Sequence, residues 1–201
     1  MKRAILILLG LSALLGAENI VRDSYEKAKG VVTQKSLTKP KLTISEATLK
    51  AINDVRSKPQ ICSQPVSPLR WNPVLYRYAK EHSIDMALNH MLSHVGSGKE
   101  SDKTAKRLGL KRGSFFYERV NQKANSKDLY SGELIIRTDT ASLKSPKELI
   151  NYWVQRPKDC KVIMDSKFSD VALAKVVSNV DKKAYWTLLL AGNGIVTKKK
   201  K

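Results

Sequence analysis

Cysteine is almost missing from this chain: of 201 residues only Cys62 and Cys160 carry a thiol, about half the chain apart. That separation excludes the C-x-x-C pairs of redox and zinc centres. Other catalytic signatures are missing too. No G-x-S-x-G presents a serine at a strand-to-helix elbow, and no H-E-x-x-H puts two imidazoles and a base on one helix face. Gly96-Ser97-Gly98-Lys99 glances at a phosphate-binding loop, but Ser93 stands where the first glycine belongs and Glu100 where Ser or Thr should follow. Beyond Leu15 there is no apolar stretch long enough to span a bilayer. Acids are scarce as well, 18 Asp and Glu against 37 Lys and Arg, for a net charge of +19. Such an excess favours an acidic partner, whether a phospholipid surface, a cell-envelope polymer or nucleic acid, or it serves only solubility. With aromatics at 6% and no basic stripe interleaved with them, nucleic acid ranks last.

What is present begins with a leader. Lys2 and Arg3 precede an apolar run, closed by Gly16 and Ala17, in the pattern of a signal peptide over residues 1–17. A retained anchor is the alternative. Export to the periplasm or beyond it makes an even cysteine count read as one bridge between Cys62 and Cys160, with two unpaired thiols as the other reading. Residues 18–42 are polar and lysine-rich and read as a linker, residues 43–193 as one domain, and residues 194–201 as a basic tail.

Within the domain, Thr43 with Glu46 makes a capping box for a first helix that stops before Pro59. Asn72 and Pro73 are the N-cap and first residue of a second, in which Leu75, Tyr78, Ala79, His82 and Met86 form the buried stripe. That helix is expected to end near His90, so that His82 and His90 share it. Residues 92–117 read as a glycine-punctuated loop around a short helix near residues 104–108, and residues 121–131 as another loop. Gly132 enters a short apolar run at a turn that holds Glu133. Ser145, Pro146 and Glu148 start a further helix, ended by Arg156-Pro157. Strand-like runs at residues 170–177 and 185–191 close the domain. Helices first and neighbouring strands late give an α+β fold with an antiparallel sheet.

The residues left to carry chemistry are His82, His90, His94 and Glu133. Imidazole binds metals, and a carboxylate beside it completes a shell or acts as a base. His94, in a loop after the helix, is placed where functional groups tend to sit.

The run Pro68-Leu69-Arg70-Trp71-Asn72-Pro73-Val74-Leu75, then Ala79-Lys80-Glu81-His82 to Met86-Ala87, then Leu92-Ser93-His94, resembles the front half of a CAP domain, the superfamily of cysteine-rich secretory proteins, antigen 5 and pathogenesis-related 1. Gly132-Glu133-Leu134-Ile135 resembles the family's Gly-Glu-Asn-Ile. Arg156-Pro157-Lys158-Asp159-Cys160, after Trp153, stands where bacterial members have Ser-Pro-Gly-His. Tyr185-Trp186-Thr187 resembles its closing strand, so the resemblance runs over residues 43–191.

It implies a three-layer α-β-α sandwich with a cleft lined by two histidines and two acids. His94 and Glu133 match the first histidine and first acid, Asp159 replaces the second histidine, Leu134 replaces the asparagine, and the second acid has no match. With His82 these form the cleft set. His94, Glu133 and Asp159 together would suit a hard divalent cation. Bacterial members also place cysteines where Cys62 and Cys160 stand, which favours the bridge. For function the resemblance favours a non-enzymatic binding module for a lipid-like or cell-envelope ligand, with peripheral membrane contact. The alternatives are a hydrolase using His94 and Glu133, and a protein acting through its basic surface alone.

Overall fold

The computed structural model describes residues 42–123, 125 and 127–192. The leader, nearly all of the linker and the basic tail lie outside them. Helix α1 (Ile44–Arg56) opens on the expected capping box: Thr43 N–H donates to Glu46 Oε2 at 2.8 Å, and Glu46 N–H to Thr43 Oγ1 at 3.3 Å. Strand β1 (Arg70–Trp71) leads into α2 (Pro73–Leu88), where Asn72 Oδ1 accepts from Val74 and Leu75 N–H at 2.9 and 3.2 Å. Both caps satisfy main-chain donors that a helix start leaves unpaired.

Helix α2 ends before the position expected from sequence. Asn89 is its C-cap, and His90 takes a left-handed φ of 51° that no helix continues through. His82 and His90 therefore do not share the helix. His90 is exposed, with Nδ1 3.4 Å from Asp181.

Short helices α3 (Lys103–Arg107) and α4 (Phe116–Asn121) follow, then β2 (Ser131–Asp139), α5 (Pro146–Val154), α6 (Pro157–Ile163), β3 (Phe168–Val177) and β4 (Lys183–Gly192). Two of these correct the sequence reading. Residues 116, 117 and 121, read as loop, belong to a helix together with the unassigned residues between them, and Pro157 starts a helix instead of only ending one. Proline suits both roles, because it cannot extend a helix behind it but fits the first turn of the next. Glu133 also sits inside β2 and not at a turn. Gly132 leaves room there for the Phe168 ring, whose tip lies 2.7 Å from where a Cβ would stand, so any larger residue must displace that ring.

The sheet order is β1-β3-β4-β2, antiparallel except for the two-residue parallel pairing of β1 with β3. Successive side chains on a strand face opposite ways, and here they fill two layers. Val171, Leu173, Leu188, Leu190 and Leu134 pack against α1, α5 and α6, while Ala172, Ala174, Leu189 and Ala191 pack against α2. The result is the expected α+β sandwich, with β2 at one edge.

Candidate functional site

The site lies where β2, α5 and the loop after α2 meet. Alternation along β2 sends Leu134 and Ile136 into the α1, α5 and α6 layer, and turns Glu133 toward α2 and its following loop. That loop is pinned to the start of α4 by a bridge between Val95 and Phe115 and by Gly96 N–H donating to Ser114 O at 2.8 Å. Its placement brings His94 Nδ1 to 2.8 Å from Glu133 Oε1.

Glu133 is buried and would be costly as an isolated anion. Arg119, on α4, offsets that cost. Its Nη2 lies 3.1 and 2.9 Å from the two Glu133 oxygens and 2.6 Å from His94 O, and its Nη1 donates to Ser114 O at 2.8 Å. Burial pushes the Glu133 carboxyl upward, but Arg119 and the two histidines more than reverse this and bring it down to about 2. His82, whose side chain is 4.0 Å from Glu133 through Nε2, is held down to about 4 by burial first and by Arg119 second. It is thus neutral at pH 7, and Arg119 is the cation that keeps Glu133 ionised there.

Protonation follows from these partners. An ionised carboxylate only accepts, so His94 donates through Nδ1–H and carries its lone pair on Nε2 when neutral. His82 Nε2 lies 2.9 Å from Ser93 O, a carbonyl, and so donates to it. With its side chain 54% exposed, against 1% for His82 and none for Glu133, His94 is the member of this set that meets solvent.

The cleft outside it has a volume of about 390 Å³. Leu92, residues 134–136, Tyr152 and Trp153 supply apolar lining, with Ser93, His94, Arg156 and Asp159 at polar positions. Asp159 shares the cleft with His94 but pairs with Arg156, whose Nε is 2.8 Å away and whose Nη1 donates to Tyr152 Oη at 2.6 Å. Cys62 and Cys160 are joined in a disulfide across 98 positions, which ties the segment after α1 to α6 beside Asp159.

As a metal site, the set His94, Glu133 and Asp159 does not fit. Among the described residues no group of three His, Cys, Asp or Glu side chains stands close enough to hold an ion. Both Glu133 oxygens are taken by Arg119 and His94, and Asp159 by Arg156. His82, expected in the cleft, is buried behind it. Sequence reasoning missed Arg119 altogether, and also Glu118, a second buried acid that Arg112 Nη2 approaches to 2.7 Å and holds down to about 2.

Residues 49–190 match a family model described as the cysteine-rich secretory protein family, CAP. Among solved structures, an outer surface protein from Borrelia burgdorferi is similar at TM-score 0.53 and 13% identity, over 75% of this chain and 96% of that one. An extracellular protein containing an SCP domain from Bacillus anthracis is similar at TM-score 0.46 and 16% identity, over 79% of this chain and 45% of that one. No curated protein matches the chain.

Proposed function

The chain belongs to the cysteine-rich secretory protein (CAP) family, and on that premise we propose that it is an exported, non-catalytic binding module for a lipid-like or anionic envelope ligand. The cleft beside His94 carries this reading. Its walls set Leu92, Leu134, Ile135 and Ile136 beside four polar or charged side chains, a mixed lining that suits an amphipathic ligand. The surplus of 19 positive charges draws such a ligand's anionic head and the membrane that carries it. Export is supported by the disulfide, which a reducing cytoplasm disfavours, and by the leader pattern of residues 1–17. The periplasm and the cell exterior both satisfy it.

Lipid extraction and mass spectrometry of protein purified from its native envelope test the proposal. A lipid recovered above the level of a control protein is expected. Recovery of none defeats the lipid reading.

One observation favours a second reading. The 2.8 Å bond from His94 to a buried, ionised Glu133 orients an imidazole as a general base is oriented. Against it, among the described residues no hydroxyl bonds His94 Nε2, the nitrogen left free to act as base. Hydrolase screens of wild type and His94→Ala separate the readings, since activity lost in the variant alone would establish the enzyme.

A further inference from the structure

Tyr152 also borders a second compartment that the reading above does not use, of about 500 Å³. Its floor is residues 136–139 of β2, and Ser142, Leu143 and Lys183 stand around it. Consecutive strand residues send their side chains to opposite faces. Four of them border one groove only where the main-chain edge itself forms part of the floor.

That edge is unpaired. β2 pairs with β4 alone. Gly192 N–H donates to Tyr130 O at 2.7 Å, in register with the neighbouring Ser131 and Ala191, so Tyr130 and Gly192 are a hydrogen-bonded pair. Such pairs alternate along an antiparallel ladder. Ser131, Glu133, Ile135, Arg137 and Asp139 therefore turn their N–H and C=O groups away from β4. Among the described residues the Asp139 carbonyl finds a partner there, Ser142 N–H at 3.0 Å, while nothing bonds the main chain of Ile135 or Arg137 on that side. A side-chain group is unanswered too: Thr138 is only 9% exposed, lines this compartment, and its hydroxyl has no partner.

We propose that the outer edge of β2, over residues 135–139, docks an extended acidic polypeptide segment that adds as a further strand, its main chain bonding Ile135 and Arg137. Strand addition of this kind takes its affinity from main-chain bonds and its selectivity from the pockets beside them. The two compartments supply those pockets, and the Thr138 hydroxyl meets a polar group of the guest. Acidic character follows from charge: Arg137, Arg156 and Lys183 outnumber Asp139 and Asp159 along the groove. A second copy of the chain is the poorer occupant, because pairing two β2 edges would face one molecule of charge +19 with another. The inference does not rest on lipid binding: Ile135 borders the cleft beside His94 as well, but Arg137 and Thr138 line the second compartment alone.

The test measures fluorescence anisotropy with a labelled heptapeptide of alternating Glu and Val. Two controls are the same peptide N-methylated at alternate amides and a Lys and Val counterpart. Wild type is expected to bind the first at least about tenfold more tightly than either control. Arg137→Pro removes an N–H that serves no bond to β4, a position where an edge strand accepts proline, and should weaken binding about tenfold. Its lipid yield should equal that of wild type, which keeps this test separate from that of the cleft. Should Arg137→Pro fail to fold, the comparison of peptides on wild type decides alone. Equal binding of native and methylated peptides overturns the proposal. So does equal binding of the Glu and Lys peptides, unchanged binding by a folded Arg137→Pro, or a dimer in sedimentation that Arg137→Pro dissolves.

Discussion

Replacing Arg119 with Met gives the sharpest check on the account of the site. The substitution keeps much of the side chain's bulk and removes the guanidinium that bonds Glu133, His94 O and Ser114 O. It leaves a buried carboxylate with a neutral His82 and one bond from His94. Breaking a buried pair from one side costs about 3–5 kcal/mol, which for a domain of this size lowers Tm by roughly 10 °C. Urea titrations followed by circular dichroism read the loss. In wild type the Glu133 carboxyl lies at about 2, below its unfolded value of 4.5, so its contribution is complete above pH 4.5 and disappears as pH falls toward 2. Without Arg119, burial raises that carboxyl above its unfolded value, and the variant is destabilised as pH rises through the new value. The gap between the two proteins should accordingly narrow on acidification. Adding Glu133→Gln should recover part of the loss, because it removes the stranded charge. A loss under about 1 kcal/mol, or a double variant whose loss is the sum of the singles, would refute the reasoning.

His82 predicts acid lability in a separate window. Its imidazole is held down to about 4 by burial, against 6.5 when unfolded, so stability is full above pH 6.5 and falls as pH drops toward 4. Between pH 6.5 and 4.5, where Glu133 does not yet titrate, the loss should reach about 2–3 kcal/mol in urea midpoints and flatten in His82→Gln. Cys62→Ser with Cys160→Ser opens a loop of 98 positions and should cost about 2–5 kcal/mol by the same measurement. The same double variant should also recover less lipid, because the bridge anchors α6 beside Asp159. At Gly113 a Cβ would lie 1.8 Å from Gly96 O, so Gly113→Ala must spread the loop that carries His94. It should cost about 1–3 kcal/mol and shift the His94 imidazole resonances in NMR spectra.

The fold was legible wherever local chemistry and periodicity agree. Asn72 with Pro73, and Ser145 with Pro146 and Glu148, marked two helix starts because cap, proline and acid meet the same unpaired donors. The late strands were visible in their apolar runs. Helices α4 and α6 were not, being one or two turns each and held by packing on the sheet more than by any periodic stripe of their own. The end of α2 escaped for a related reason: nothing in Asn89-His90-Met91 announces a left-handed residue as glycine would.

The site was legible in half. His94 and Glu133 could be named because each stands in a short ordered motif, but a buried glutamate followed closely by an apolar residue occurs twice, at Glu118 and at Glu133. Sequence order does not say which one meets the histidine. Burial does not say it either, since both carboxyl groups are inside and each has its own arginine, Arg112 for Glu118 and Arg119 for Glu133. What decides is strand alternation: residue 133 faces the α2 layer, where the loop delivers His94, and its arginine arrives from 14 positions away on a helix no pattern predicted. The same geometry explains why a set of residues that looks metal-binding on paper is not one here. A divalent cation and a guanidinium would answer the same negative charge, and Arg119, buried with both Glu133 oxygens in reach, already answers it. The cleft is left with Ser93, His94 and the Arg156–Asp159 pair beside the apolar side chains of residues 134–136, and none of its charged groups is free to take up a cation in place of Arg119.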